Sequence, residues 1–363
     1  MSDTIAIAHD YLTQRGGAER VVLSMCEALD VRQVHTLLYE PSQTYPEFAN
    51  IDVLTSPLNR LSSLRANHRR GLPLYAFASG RLRVDADVVL ASSSGWAHGF
   101  PTDGRKIVYC YSPARWLYQG RDFLGDSAGR TERLGLEAAG PLLRRWDARA
   151  AGSADAYLAI SKVVQDRIWR TYGIESQVLG APHSMDASAD REAVELPARL
   201  SENGFLLCVS RLLPYKNVDK VLAGAAKAGM GLVVVGSGPA RESLMRHHAG
   251  EGTAFLSGLT DAQMRYLYAE CTAVVSASIE DYGLTPLEAN AFGKPSITPR
   301  DGGFLDTVVE GLTGVHFAHR EPALIADAIA VCRKARWDSE GIRRHAEKYS
   351  EASFAARLRD VVL

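Results

Sequence analysis

AVVSASIEDYGLTPLEANAFGKPSITP, residues 273–299, is the stretch from which the rest of the chain is read. The apolar run at 273–277 predicts a buried strand. An acidic loop follows at 279–283. Thr285-Pro286-Leu287-Glu288 then carries the marks of a helix start: an N-cap residue, Pro at the first helical position and Glu three residues past the cap. The helix is expected to stop at Gly293, with Pro295 beyond it, and a second strand begins near Ser296. This strand–loop–helix–strand unit puts Glu280 at a strand's carboxyl end and Glu288 at a helix's amino end. In a doubly wound sheet that edge is where ligands sit. Local spacing leaves two readings open. Glu288 is either a capping-box acid beside a solvated Glu280, or both carboxylates are ligand groups.

Working outward, 363 residues suffice for two domains of ordinary size. A hydrophobic share of 46% with 23% charged residues fits a globular protein with a real core. The formal net charge of −1 gives no overall basicity to argue for nucleic acid. No apolar run is long enough to span a bilayer and the N-terminus lacks a signal-peptide pattern, so a cytoplasmic protein is expected. Five scattered cysteines without a CxxC spacing read as buried, reduced thiols.

Apolar runs at 4–8, 34–38, 52–54, 88–91, 107–111 and 156–161 predict strands, most of them separated by helical segments. The first leads through His9-Asp10 and a polar loop to Gly16-Gly17 and a helix at 18–29. A second series follows at 205–209, 232–235, 254–256, 273–276 and 296–298. Alternation of this kind means parallel sheets with helices on both faces. The fold class is therefore α/β: two Rossmann-like domains facing a central cleft, 1–182 and 183–345, followed by a C-terminal helix at 346–363. The hinge is placed near Pro182.

Three loops join Glu280 and Glu288 at the carboxyl edge of the second series. Ser210–Asn217 carries Arg211 and Lys216 just before a helix, two cations beside free backbone N–H groups, which suits a diphosphate. The second is Val235-Gly236-Ser237-Gly238 and the third Ser257-Gly258-Leu259-Thr260. Gly16-Gly17 also suits close approach to an anion, although the GxGxxG fingerprint is absent. Asp85-Ala86-Asp87 lies at a strand's amino end, opposite the ligand edge, and is read as structural; no cluster has metal-ligand spacing. Residues 53–84 hold no acidic residue but six arginines: Arg60, Arg65, Arg69, Arg70, Arg81 and Arg83. That stretch is either a solvated surface or a patch for an anionic acceptor or a membrane surface.

The ordered set Ser210-Arg211, Lys216-Asn217, Gly236, Gly258, Glu280-Asp281-Tyr282-Gly283-Leu284, Glu288 and Gly302-Gly303 resembles the retaining GT-B glycosyltransferases of family 4, in their mannosyltransferase-like, Glu-x7-Glu form. Gly16-Gly17-Ala18-Glu19 and Ser112-Pro113-Ala114-Arg115 extend the likeness into the first half. The resemblance implies that Arg211 and Lys216 bind the donor diphosphate, that Glu280 contacts the donor sugar and that Glu288 accepts the ribose hydroxyls. Backbone N–H groups of Tyr282, Gly283, Leu284 and Thr285 would support sugar and phosphate, and Asp281 would belong to the same substrate site. Gly258 and Leu259 would line the base, Gly236 would belong to the substrate site, Gly16 and Gly17 would close over the diphosphate, and the C-terminal helix at 346–363 would cross back to the first domain. Tyr111 stands where relatives usually carry His facing the sugar, with Arg115 in the same segment.

The expected activity is retaining transfer of a hexose from a nucleotide-diphosphate sugar, with no cofactor and no metal. GDP-mannose is preferred over a UDP-hexose, and the acceptor is unidentified. Alternatives are a non-catalytic sugar-nucleotide-binding protein or another GT-B activity such as an epimerase. Peripheral contact with the inner face of the membrane through the arginine-rich stretch is a further expectation.

Overall fold

The computed structural model describes residues 3–119, 130–248, 250 and 252–363, and for Arg69, Arg70, Pro73 and residues 130–138 it describes the backbone alone. The chain forms two compact units, Met1–Pro182 with Glu351–Leu363, and His183–Ser350. The second boundary thus follows Ser350 and not residue 345.

The first unit holds a seven-stranded parallel sheet in the order β3-β2-β1-β4-β5-β6-β7. Its strands are β1 (Ile5–His9), β2 (Gln33–Thr36), β3 (Asp52–Thr55), β4 (Val88–Ser93), β5 (Arg105–Cys110), β6 (Ala156–Ala159) and β7 (Gln177–Val178). All six residues of β4 are buried, without alternation, because helices cover both faces of the sheet. The helix Glu351–Val362 packs here, burying Phe354, Leu358 and Val362 at four-residue spacing. Phe354 meets the Tyr109 ring edge-on at 6.1 Å, and Arg359 Nε donates to the Ala28 carbonyl at 2.6 Å.

The second unit holds a six-stranded parallel sheet in the order β10-β9-β8-β11-β12-β13. Its strands are β8 (Phe205–Val209), β9 (Gly231–Val235), β10 (Thr253–Leu256), β11 (Ala273–Val275), β12 (Ser296–Pro299) and β13 (Gly314–Phe317). Side chains alternate between two cores. Leu206, Cys208 and Val234 pack with Val221, Leu222 and Ile329 on one face; Leu207, Val233 and Val235 pack with Leu267, Tyr268 and Phe292 on the other. All five cysteines are buried and unbridged, and burial pushes the Cys26, Cys208, Cys271 and Cys332 thiols up to about 12.

Strand order reverses between β1 and β4 in the first sheet and between β8 and β11 in the second. The loops leaving these strands frame the ligand position of a doubly wound sheet. In the second unit they are the Arg211–Lys216 loop and the Glu280 loop.

Candidate active site

The second unit brings Lys216 and Glu280 together. Lys216 ends the 3-10 turn Pro214–Lys216 and is buried; its Nζ lies 2.6 Å from Glu280 Oε1. Ser278 Oγ donates to the same oxygen at 2.7 Å. Among the described residues the other oxygen, Oε2, has no hydrogen-bond partner, and the side chain is 31% exposed. One carboxylate oxygen is therefore pinned by two donors while the other is available to a hydroxyl. Arg211 sits on the same loop as Lys216 but is exposed, its guanidinium 3.4 Å from the Tyr215 hydroxyl.

Glycines bring the supporting loops into contact. Gly236 has φ of +149°, and a Cβ there would stand 1.9 Å from the Ser210 carbonyl oxygen. The Arg211 loop is thereby held against the β9 loop, with Leu212 N donating to Ser237 O at 2.8 Å. Gly302 has φ of +61° and would place a Cβ 2.4 Å from the Glu280 carbonyl oxygen, which accepts from Gly303 N at 2.9 Å. The Gly302-Gly303 turn is thus a backbone brace for the acidic loop. Tyr282 is buried beneath it. Gly258 faces open space, and Leu259 packs partly buried on the core below.

The capping-box expectation for Glu288 is overturned. The helix is Leu284–Ala291, with Gly283 as N-cap at φ +92° and no side-chain cap. Thr285 is already inside the first turn, because Gly283 turns the chain into the helix before Thr285 is reached. Glu288, half-buried, instead accepts from the Tyr268 hydroxyl at 2.5 Å through Oε2, and burial pushes its carboxyl above the usual range. The first backbone N–H groups of this helix have no side-chain cap. The capping box of this region is one helix earlier. Thr260 Oγ1 accepts from Gln263 N at 3.2 Å and Gln263 Oε1 accepts from Thr260 N at 3.0 Å.

In the first unit, Gly16 is the N-cap of the helix Gly17–Leu29, and a Cβ on it would meet Glu19 Oε2 at 2.5 Å. Arg115 opens the short helix Arg115–Tyr118. Tyr111 donates to the Ala18 carbonyl at 3.2 Å and lies 3.0 Å from Ser92 Oγ, joining the end of β5 to the start of the helix Gly17–Leu29. Of the arginine-rich stretch, Arg65 pairs with Glu40 at 3.0 Å and Arg83 pairs with Asp85 and Asp103. The Arg69 and Arg70 side chains lie outside the described residues. Asp87 is structural, accepting from Thr4 N at 2.9 Å and Thr4 Oγ1 at 2.7 Å.

Several buried polar residues were not singled out from sequence. Asp10, 2% exposed at the end of β1, accepts from the backbone N–H of Ser94, Trp96 and Ala97 at 2.7, 3.1 and 2.7 Å. Its place at a strand's carboxyl end was the available signal. Asp147 is wholly buried and takes the Tyr118 and Tyr172 hydroxyls at 2.8 and 2.7 Å. In sequence it looks like any helical acid. Glu19 is buried with Oε1 bonded to Gln14, and desolvation raises its carboxyl. Arg320, from the loop after β13, clamps the chain leaving β11 and was also missed.

Solved structures share this architecture. Anabaena HepE in complex with UDP superposes with a TM-score of 0.68 at 16% identity, covering 99% of each chain. Sucrose-phosphate synthase from Thermosynechococcus elongatus gives 0.71 at 16% identity, covering 99% of this chain and 98% of that one. The fold is GT-B. The sequence profile described as Glycosyltransferase Family 4 matches residues 15–180, and the one described as Glycosyl transferases group 1 matches residues 192–350. The chain belongs to family 4 of the GT-B glycosyltransferases. Among curated relatives, the GDP-mannose-dependent alpha-(1-6)-phosphatidylinositol monomannoside mannosyltransferase of Mycobacterium tuberculosis is 26% identical over 213 residues, 52% of this chain and 55% of that protein. The alpha-1,3/1,6-mannosyltransferase ALG2 of Dictyostelium discoideum is 33% identical over 116 residues, 30% of this chain and 27% of that protein. The chain thus matches about half the length of the first of these relatives, or less.

Proposed function

We propose that this protein transfers a hexose from a nucleotide-diphosphate sugar, with retention of anomeric configuration and without a metal ion. The observation that carries the reading is the Glu280 carboxylate, with one oxygen pinned by Lys216 and Ser278 and the other available, on the loop that leads into the uncapped helix carrying Glu288. In this reading Arg211 and Lys216 neutralise the leaving diphosphate as its charge develops, which a metal otherwise does. Glu280 reads a sugar hydroxyl. Glu288 accepts ribose hydroxyls, and Leu259 flanks the base. The acceptor's proton goes to an oxygen of the leaving phosphate, so no protein nucleophile is invoked. Mannosyltransferases among the relatives, one of them named GDP-mannose-dependent, favour GDP-mannose. Calorimetric titration with GDP, UDP and ADP tests the site, and donor hydrolysis without acceptor separates a transferase from a pure binder. Failure of all three nucleotides to bind would end this reading.

The acceptor side has one structural lead. The helix Leu72–Ser79 is apolar on its outer face too, with Leu74 47% and Phe77 64% exposed and Arg81 stacked 3.3 Å from the Phe77 ring centre. Apolar anchors in a stretch without acids suit an anionic lipid surface. Sedimentation with anionic vesicles is expected, weakened in Phe77→Ser and Arg81→Ser; no sedimentation of the unmodified protein would leave that face a solvated surface.

A further inference from the structure

The Glu280 carboxylate is held by more than its ion pair. Ser278 is 2% exposed; its hydroxyl lies 2.8 Å from Ser276 Oγ and donates to Glu280 Oε1. The backbone that carries Ser278 is in turn tied down by Arg320. Its Nε donates to the Ala277 carbonyl at 3.0 Å, and its Nη2 reaches the Ser278 carbonyl at 3.4 Å and Asp301 Oδ2 at 2.8 Å. Asn217, next to Lys216 and at φ +52°, donates to the same Ala277 carbonyl at 3.2 Å. Asp301 adjoins the Gly302-Gly303 brace. One guanidinium therefore links the end of β11 to the turn that props the acidic loop, and the loop delivers its serine to the carboxylate.

We propose that Ser278 and Arg320 are positioning residues for donor recognition: they fix the rotamer and backbone of Glu280 so that its second oxygen meets a hydroxyl of the transferred sugar. The proposal rests on the reading of Glu280 as the sugar contact. Bidentate reach to two carbonyls and a carboxylate is geometry that a planar guanidinium provides and an ammonium does not.

The test is a set of calorimetric affinities for GDP and GDP-mannose, or for the base that the nucleotide panel selects in their place. It covers Glu280→Ala, Ser278→Ala, Arg320→Lys and each of the latter two combined with Glu280→Ala. Melting curves accompany every variant. Glu280→Ala should weaken the sugar nucleotide about tenfold or more, the value of a hydrogen bond to a charged group, while GDP binds no more weakly because Lys216 is released. Ser278→Ala and Arg320→Lys should move GDP-mannose in the same direction, leave GDP within about twofold, and add nothing in the Glu280→Ala background. Losses that add to Glu280→Ala, or that fall equally on GDP and GDP-mannose, mean that the two residues only stabilise the fold and overturn the proposal. Unchanged GDP-mannose affinity in Glu280→Ala itself overturns the sugar reading and the proposal with it; that failure is visible in the single variant.

Discussion

Glu288 meets opposite demands from folding and from binding. Burial raises its carboxyl above the usual value of 4.5. A raised carboxyl contributes stability that is fully present below the unfolded value and is lost as pH rises through the folded one. Near neutral pH the buried carboxylate is therefore a cost to the fold, only partly offset by the Tyr268 hydroxyl. Glu288→Gln should melt at a higher temperature than the parent at pH 7.5, and the gap should narrow toward pH 4.5. The same change should weaken ribonucleotide binding by roughly 1.5–3 kcal/mol, and less for 2′-deoxy analogues. Calorimetry and melting curves on one pair of proteins check both signs; a lower melting temperature together with unchanged affinity would return Glu288 to a structural role. The sequence placed Glu280 and Glu288 on one strand–loop–helix unit. It did not show which atoms hold them, because Lys216 and Tyr268 reach them from another loop and another helix, and Ser278 turns back within the same loop.

At the scale of elements, the acidic loop depends on the glycine turn beneath it. Gly302→Ala adds a methyl 2.4 Å from the Glu280 carbonyl at a φ of +61°, where an L side chain is strained. It should cost about 1–3 kcal/mol in urea unfolding and weaken donor binding as the loop moves. A silent variant would mean that the turn is not a brace. Thr260→Ala provides a contrast: it removes the true capping box, should cost about 1 kcal/mol, and should leave nucleotide affinity nearly unchanged. Thr285-x-x-Glu288 and Thr260-x-x-Gln263 are the same pattern in sequence, and only tertiary structure shows that the second alone is a capping box. Gly283 enters its helix at positive φ under the Gly302-Gly303 turn, so the cap at Thr285 never forms. Long apolar runs such as 205–209 were readable as strands because both faces are covered. The strands at the β7 and β13 edges were not, since β7 has two residues and β13 opens with Gly and carries a half-buried His316.

At the scale of the whole molecule, the last helix belongs to the first unit although the chain reaches it from the second. Phe354 is fully buried against Tyr109. Phe354→Ala should cost about 3–5 kcal/mol, read as destabilisation of the first unit in denaturant with probes placed in each half. Equal loss in both halves would show that they unfold as one. The crossing was expected from the family resemblance and not from periodicity, since the spacing of Phe354, Leu358 and Val362 names an apolar face without naming its partner.

The central claim is metal-independent transfer with retention from a nucleotide sugar, and proton NMR of the donor alone tests it most directly. The protein is mixed with GDP-mannose, UDP-glucose or ADP-glucose in the presence of EDTA, and the anomer of the first sugar released is followed before mutarotation. The account predicts slow release, fastest from GDP-mannose, in the donor's own α configuration, undiminished by chelator and lost in Glu280→Ala. Release first as the β anomer, turnover that stops with EDTA and returns with a divalent ion, or no release from any donor would contradict it.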